Sequence, residues 1–322
     1  WQAPRNLDAA SAVVAQEKLD VLVYPDIGME VLTYFMAFAR LALVQYAVRL
    51  MGHPVTPSTG AVDYFLSLDV ELEDGQNDYM EQMVRVNLIN TAHLQQAFSA
   101  GVASVLKNAE ENDEGAVLEQ RDGNAGSTTC RQNYLVLGRI FKFHADFDAA
   151  IKIILARDPG GYHLKWYPLL GRSWSSLRYI YFQTQIGIDD CVRIVHHSAC
   201  TDVLRRASAV LDTFPYGDCL TILQVKHFLR FFRMSHGVPV VTLPAKFIRG
   251  RFALAMYKQM GYTDLVATDL EEYASFAIKL GTQRDFRERS VARMEGGYRS
   301  LHRNNESADE WGAFFRRALR AA

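Results

Sequence analysis

The amino-acid sequence predicts an α/β fold built on parallel β-sheets, and three observations predict it. Short, continuous apolar runs alternate along the chain with segments of helical length. The first such run, LDVLVYP (19–25), ends in proline, as expected of a central parallel strand. The chain has 322 residues and 49% hydrophobic content, which is enough for two domains that each bury a core.

In the first half of the chain, a helix is predicted before the strand at 19–25. Residues 29–42 have helical length, and residues 43–50 have strand character. The Gly/Pro/Thr-rich segment 51–67 is predicted as a loop that leads into another strand. The chain begins at Trp1 without a methionine and enters directly into a helix, so we expect it to be a piece of a longer protein.

The second half restarts the alternation after a polar, charge-dense segment at 98–129, which predicts a linker or a surface insertion. Gly261 and Gly281 are predicted to end helices, and the tail from 283 is predicted to be helical. These elements predict a doubly wound, Rossmann-like domain of about five or six strands. The predicted strands are 134–141, 162–170, 189–197, 209–214, 238–244 and 264–268, and the predicted helices are 145–159, 199–208, 249–261 and 270–281.

Net charge, cysteine content and the length of the apolar runs argue against nucleic-acid binding, a disulfide framework and a membrane span. With 35 Lys and Arg against 36 Asp and Glu, the net charge of −1 gives no support for a nucleic-acid partner. The four cysteines lack metal-ligand spacing and are too few for a disulfide framework, which predicts the cytoplasm or the nucleus. No apolar run reaches the ~18 residues of a membrane span, so we expect no membrane association.

The stretch LDTFPYGDCLTILQ (211–224) joins a predicted strand to a new apolar segment through Pro215 and Gly217. Ligands of doubly wound sheets bind at the carboxyl ends of strands, where this turn lies. A glycine turn there can offer backbone N–H groups to an anion such as a diphosphate. The alternative is a plain connection between a strand and a helix. The residues alone leave both interpretations open.

Two long segments carry a resemblance to a known family. Residues 205–224, RRASAVLDTFPYGDCLTILQ, and residues 237–282, which begin GVPVVTLPAKFIRGRFALAMY, resemble the C-terminal catalytic lobe of the protein O-linked N-acetylglucosaminyltransferase family, including its SPINDLY-like branches. Residues 19–45 and 52–67 resemble the later part of the N-terminal catalytic lobe of the same family.

The resemblance implies an α/β, GT-B-like architecture of two Rossmann-like lobes, with the N-terminal lobe incomplete. We expect residues 1–97 to form the partial N-terminal catalytic lobe and residues 98–129 a linker or insertion. Residues 130–322 are expected to form the C-terminal, UDP-sugar-binding lobe. The expected catalytic base and any helical repeats lie upstream of Trp1, so the catalytic residue is unassigned and an inactive fragment remains a possibility.

The activity implied by the resemblance is inverting transfer of N-acetylglucosamine from UDP-GlcNAc to Ser or Thr of proteins. The expected partners are a UDP-sugar and a protein or peptide acceptor. The resemblance implies metal-independent transfer, so no cofactor and no metal are expected, and helix N-termini and basic side chains would stabilise the leaving diphosphate. Two alternatives remain open: a UDP-glucose-dependent Asn glucosyltransferase, suggested by GHP and FPYG, and a degenerate, non-catalytic GT-B binding module, favoured by Leu220 and the extra segment 225–236.

The resemblance also implies the site residues. Lys142 in GRIFKFH matches the lysine of the family's Gln-x-x-Lys segment, whose glutamine is absent here, and Arg139 is a second candidate phosphate donor. His197 lies near the family's nucleotide-side lysine. On the glycine turn the expected nucleotide-sugar contacts are Gly217, Asp218, Cys219 and Thr221, with Cys219 as a small apolar filler rather than a nucleophile. Asp26 and His53 are expected at the acceptor cleft, although Asp26 could instead cap a helix.

Overall fold

The fold is described here from a computed structural model, over residues 6–25, 27, 31–48, 55–87, 134–136, 142–158, 164–166, 192–194, 207–217, 238–297, 300–301 and 304–322. Within these residues the helices are α1 (Leu7–Gln16), α2 (Val31–Met36), α3 (Ala145–Arg157), α4 (Phe252–Gln259), α5 (Leu270–Thr282), α6 (Arg284–Gly297) and α7 (Asn304–Ala321). The strands are β1 (Leu19–Tyr24), β2 (Ala42–Val48), β3 (Tyr64–Leu68), β4 (Gln82–Val86), β5 (Tyr134–Val136), β6 (Leu164–Trp166), β7 (Val192–Ile194), β8 (Ala209–Leu211) and β9 (Val240–Val241). None of the described helices is long and apolar enough to cross a membrane.

Backbone contacts divide the chain into two compact units. The first comprises Trp1–Asn90, Lys246–Arg251 and Ser300–Ala322, and the second comprises Thr91–Ala245 and Phe252–Arg299. The sequence assigns residues 246–251 and 300–322 to the C-terminal lobe, whereas these contacts group both segments with the first unit. Contacts over a long sequence separation decide this grouping, and the local pattern of residues carries no sign of them.

The first unit contains a four-stranded parallel sheet in the order β1-β2-β3-β4. Strand β2 is buried except at Leu43 and carries the amide of Gln45, which is 0% exposed. This side chain accepts from the Leu41 N–H at 2.7 Å and donates to the carbonyls of Ala39 and Ala61 at 3.0 and 2.6 Å. Because its amide is satisfied on both sides, Gln45 fits a core position that normally takes an apolar residue.

Helix α2 is shorter than the helix predicted for 29–42. It ends at Met36, and tight backbone hydrogen bonds at Ala37, Phe38 and Ala39 close the chain into a turn before β2. Gln45 then holds the Ala39 carbonyl, which a longer helix would direct along its own axis. The apolar composition of this stretch therefore predicted helix correctly but could not show where it stops.

The second unit contains a five-stranded parallel sheet in the order β7-β6-β5-β8-β9. This is the strand order of a doubly wound Rossmann-like sheet, with β5 as the first strand and β8 as the fourth. A parallel bridge between Thr242 and Val266 adds a sixth position next to β9. The predicted Rossmann-like domain of five or six parallel strands is confirmed.

The strand predicted at 264–268 is reduced to that single bridge. Thr242 donates to the Leu265 carbonyl and accepts from the Ala267 N–H, but pairing does not continue to Val240. Both backbone groups of Val240 are instead bonded by the buried Tyr257 hydroxyl, which accepts from the N–H at 3.0 Å and donates to the carbonyl at 2.6 Å. The Tyr257 side chain on α4 therefore forms the hydrogen bonds with Val240 that a longer neighbouring strand would form.

Two glycines predicted to end helices behave differently. Gly261 follows α4 with a φ of 67°, and its N–H bonds to the Lys258 carbonyl at 2.9 Å, so it ends the helix as predicted. Gly281 instead lies inside the last turn of α5, which continues to Thr282. A Cβ at Gly281 would collide with the hydroxyl and ring of Tyr134, so close packing against β5 requires this glycine.

Candidate functional site

The second sheet has its topological switch point between β5 and β8. The strands continue to one side of β5 through β6 and β7, and to the other side of β8 through β9. Ligands of doubly wound sheets bind outside the carboxyl ends of the strands at such a point. β5 ends at Val136 and β8 ends at Leu211, so the segments after these two residues form the candidate site.

Lys142 and Gly217 meet at this edge of the sheet. The Lys142 ammonium donates a hydrogen bond to the Gly217 carbonyl oxygen at 3.1 Å. It also lies 4.9 Å from the centre of the Tyr216 ring, which is within cation–π distance. Gly217 is buried and Lys142 is partly buried. The fold thus brings together two predicted site residues that are 75 positions apart and places a positive charge at the glycine turn.

The turn that carries Gly217 is held in place by a side-chain hydrogen bond and a backbone bridge. Thr213 donates its hydroxyl hydrogen to the Tyr216 carbonyl at 2.7 Å, which closes the segment between them. Pro215 pairs with Phe143 through an antiparallel bridge. Because Phe143 directly follows Lys142, this bridge ties the backbone of the lysine to the backbone of the turn. The position from which the ammonium reaches the turn is therefore fixed by the fold.

Aromatic rings pack against one another next to the turn. Phe147 of α3 contacts Phe143 and Phe214 edge-to-face, with ring centres 5.4 Å apart in both pairs. Phe214 contacts Tyr273 of α5 in the same way at 5.2 Å. Phe147 and Tyr273 are fully buried, and Phe214 is 5% exposed. Large interlocking rings leave little freedom for the segments that hold Lys142 and Gly217.

Asp212 is a buried carboxylate directly after β8. Its Oδ2 accepts from the Thr242 hydroxyl at 2.8 Å, and its backbone carbonyl accepts from the Tyr273 hydroxyl at 2.9 Å. Burial, and secondarily the Asp212 charge, raises the pKa of Tyr273 well above its usual value, so this hydroxyl stays a donor at neutral pH. These bonds connect the carboxyl ends of β8 and β9 to helix α5.

Among the described residues, the N-terminus of α3 is a second place where an anion could bind, and its own residues occupy it. His144 caps the helix, and its Nδ1 accepts from the Asp146 N–H at 3.3 Å. Asp146 and Asp148 add two carboxylates in the first turn. These acidic groups already complement the helix dipole and would repel a phosphate. An anion is therefore expected at Lys142 and the glycine turn rather than at this helix.

Of the predicted site residues, the structure describes Lys142 and Gly217. The other predicted contacts lie outside the described residues and remain predictions: Asp26, His53, Arg139, His197, Asp218, Cys219 and Thr221. Tyr216, which contacts the lysine, was missed as a site residue. Its signal is the aromatic residue directly before glycine in FPYG, which on its own is as typical of a core position.

Arg251, which is not one of the predicted site residues, makes its described contacts within the first unit. Its Nε donates to the Val70 carbonyl at 2.6 Å. Burial lowers the pKa of Arg251, and the neighbouring Glu71 carboxylate partly opposes this effect. These contacts support packing. Across the described ranges, no group of three His, Cys, Asp or Glu side chains is arranged to hold a metal ion.

A segment of the chain matches a known family. Residues 227–299 match the family model described as glycosyl transferase family 41. The match starts inside the extra segment 225–236 and does not include residues 205–224 or the resemblance in the first lobe. A comparison with curated protein sequences gives no match.

Two solved structures that share the fold of this chain are glycosyltransferases. The chain superimposes on a mutant O-GlcNAc transferase from Thermobaculum terrenum with a TM-score of 0.73 and 19% sequence identity, covering 99% of this chain and 56% of that chain. It superimposes on a glycosyltransferase from Rickettsia africae with a TM-score of 0.52 and 8% identity, covering 100% of this chain and 84% of that chain. The chain thus spans little more than half the length of the Thermobaculum enzyme.

The fold is the GT-B fold of these glycosyltransferases. The family 41 segment and the Thermobaculum structure show that this chain is similar to the C-terminal region of an O-GlcNAc transferase. The predicted fold class and the predicted family resemblance are confirmed.

Proposed function

We propose that the second unit binds a UDP-sugar at the carboxyl edge of its sheet and serves as the donor-binding part of a protein glycosyltransferase. The observation that carries this proposal is the contact between Lys142 and the Gly217 turn at the topological switch point. A positive charge beside a glycine turn suits a diphosphate, which accepts charge-assisted hydrogen bonds. The family 41 match and the GT-B fold support a sugar nucleotide as the source of that diphosphate.

Lys142 would act on the leaving group of the reaction. When the bond between the sugar and UDP breaks, negative charge develops on the diphosphate, and a preorganised ammonium stabilises that charge more than the charge of the bound donor. In an inverting transfer the acceptor hydroxyl attacks the anomeric carbon from the face opposite to UDP, and a base takes the hydroxyl proton. The described residues supply the donor side of this reaction, and the base stays unassigned.

For the donor and acceptor we propose UDP-GlcNAc and Ser or Thr of proteins, in the cytoplasm or nucleus. The Thermobaculum structure is that of an O-GlcNAc transferase, which favours this choice over the UDP-glucose alternative. Competition of unlabelled UDP-GlcNAc and UDP-glucose against bound UDP would rank the two donors. Transfer to Ser/Thr peptides by the full-length protein would exclude the non-catalytic alternative.

Titration calorimetry with UDP tests the binding site itself. We expect the 322-residue chain to bind UDP and Lys142→Met to lose ~1.5–3 kcal/mol of binding free energy, because a charge-assisted hydrogen bond is removed. Lys258→Met removes an equal charge from the exposed surface of α4 and is the matched control, with an expected unchanged affinity. No heat with the unmodified chain, or equal affinities for all three proteins, would contradict the proposal.

A further inference from the structure

We propose that Tyr216 is a positioning residue that holds the Lys142 ammonium at the glycine turn, ready for the diphosphate of the donor. This inference rests on the proposed function and extends it to a residue that neither the sequence nor the comparisons assign. The ammonium lies 4.9 Å from the centre of the Tyr216 ring and 3.1 Å from the carbonyl of the next residue, Gly217. Tyr216 therefore supplies an aromatic face, and Gly217 supplies a carbonyl oxygen, to the same Lys142 ammonium.

The Tyr216 backbone is fixed before any ligand arrives. Its carbonyl accepts from Thr213, and the adjacent Pro215 pairs with Phe143, next to the lysine. Phe214, two residues before Tyr216, is locked among buried aromatic rings. The lysine therefore reaches toward a turn whose position is set by packing rather than by the ligand.

A lysine side chain gains more from such an aromatic contact than an arginine would. Its ammonium is a compact charge on a flexible four-carbon stem, and fixing that stem on binding costs rotamer entropy. Contact with an aromatic face restricts the ammonium in the empty site, so less of this entropy remains to be lost when the diphosphate binds. An ammonium has three N–H donors, so it can keep the Gly217 carbonyl and still donate to a phosphate oxygen.

The ring gives a test that does not depend on nucleotide. In the 322-residue chain with ¹³C-labelled lysine, and without UDP, the Lys142 side-chain resonance is assigned by its loss in Lys142→Met. We expect it to be shifted upfield by the Tyr216 ring current, to stay shifted in Tyr216→Phe, and to move to the ordinary lysine position in Tyr216→Leu. An unshifted resonance in the unmodified chain would overturn the proposed contact.

UDP titrations then test whether the contact matters for binding. Tyr216→Leu is expected to weaken UDP binding about three- to tenfold, as a cation–π contact of ordinary strength implies, while Tyr216→Phe stays within about twofold of the unmodified chain. In a Lys142→Met background, Tyr216→Leu should have almost no further effect, because the partner of the ring is gone. An equal loss in both backgrounds would show that Tyr216 acts through packing alone and would overturn the proposal.

A second lysine-aromatic pair in the same unit is the control. Lys279 lies 6.0 Å from the Phe276 ring on α5, and Phe276→Leu should leave UDP affinity unchanged. The two ideas fail in different ways. An upfield Lys142 resonance in a chain that binds no UDP would refute the proposed function, and with it the role of Tyr216 toward a diphosphate, while the contact itself would stand. UDP binding that depends on Lys142 but is unaffected by Tyr216→Leu would refute the role of Tyr216 alone.

Discussion

Gly281→Ala should destabilise the second unit, although alanine is the better helix former. Gly281 is buried in the last turn of α5, and an added Cβ would overlap the hydroxyl and the ring of Tyr134 on β5. The Tyr134 ring is fully buried, and its hydroxyl donates to Asp158 at 2.9 Å. The ring therefore cannot move aside without losing packing and a hydrogen bond.

The magnitude follows from three opposing effects. Overpacking in a buried contact costs ~1–3 kcal/mol, and losing the bond to Asp158 adds about 1 kcal/mol. The higher helix propensity of alanine returns up to about 1 kcal/mol. We expect a net loss of roughly 2 kcal/mol, which lowers the Tm by about 4–8 °C for a domain of 150–250 residues.

Thermal unfolding followed by circular dichroism would measure this loss. Gly296→Ala on α6 is the matched control, because no atom lies within 4 Å of a Cβ built there, and its Tm should stay equal or rise slightly. In a Tyr134→Phe background the cost of Gly281→Ala should fall, since the closest clashing atom is gone. A Gly281→Ala protein as stable as the unmodified chain would refute this account of the helix–strand contact.

Three further predictions concern stability, pH and metal. Tyr257→Phe should lower the free energy of unfolding by ~1–3 kcal/mol, measured by thermal denaturation, because it leaves the buried N–H and carbonyl of Val240 without their partner; an unchanged Tm would contradict this. Burial raises the pKa of Asp63, but hydrogen bonds from Arg40 and the Gln45 N–H and the Arg40 charge outweigh it and lower the net pKa. The stabilisation from this pair is therefore complete above the ordinary aspartate pKa of about 4 and is lost as pH falls further, so Asp63→Asn should flatten the stability curve below about pH 4; an unaltered acid profile would argue against it. Saturating EDTA should leave UDP affinity unchanged, and a loss that magnesium restores would show that the site needs a cation.

The sheets were predictable because strands and helices differ in period and composition. Buried runs such as AVL in β8 and VV in β9 are continuous and apolar, which is typical of parallel strands covered on both faces. The residues at which helices and strands end were not predictable. Backbone turn bonds after Met36 end α2, and the Tyr257 hydroxyl limits the pairing of Val240 from 17 residues away. Local periodicity encodes neither contact.

The candidate site was predictable in part, for a similar reason. Lys142 and Gly217 could be named because each lies in a segment that resembles a family pattern, and the fold brings them into contact. Tyr216 could not be named, because its role depends on where the lysine ends in space.

Helix α7 covers part of the first sheet with aromatic side chains. Phe314 lies 5.9 Å from the Tyr46 ring and 5.3 Å from the Tyr64 ring, while Phe315 lies 5.1 Å from Tyr46. Glu310 on the same helix accepts both the backbone and the side-chain N–H of Asn87, which follows β4. A clone that stops before residue 304 would expose the Tyr46 and Tyr64 rings on β2 and β3 of the first sheet to water. A tag or fusion partner should therefore be attached after helix α7.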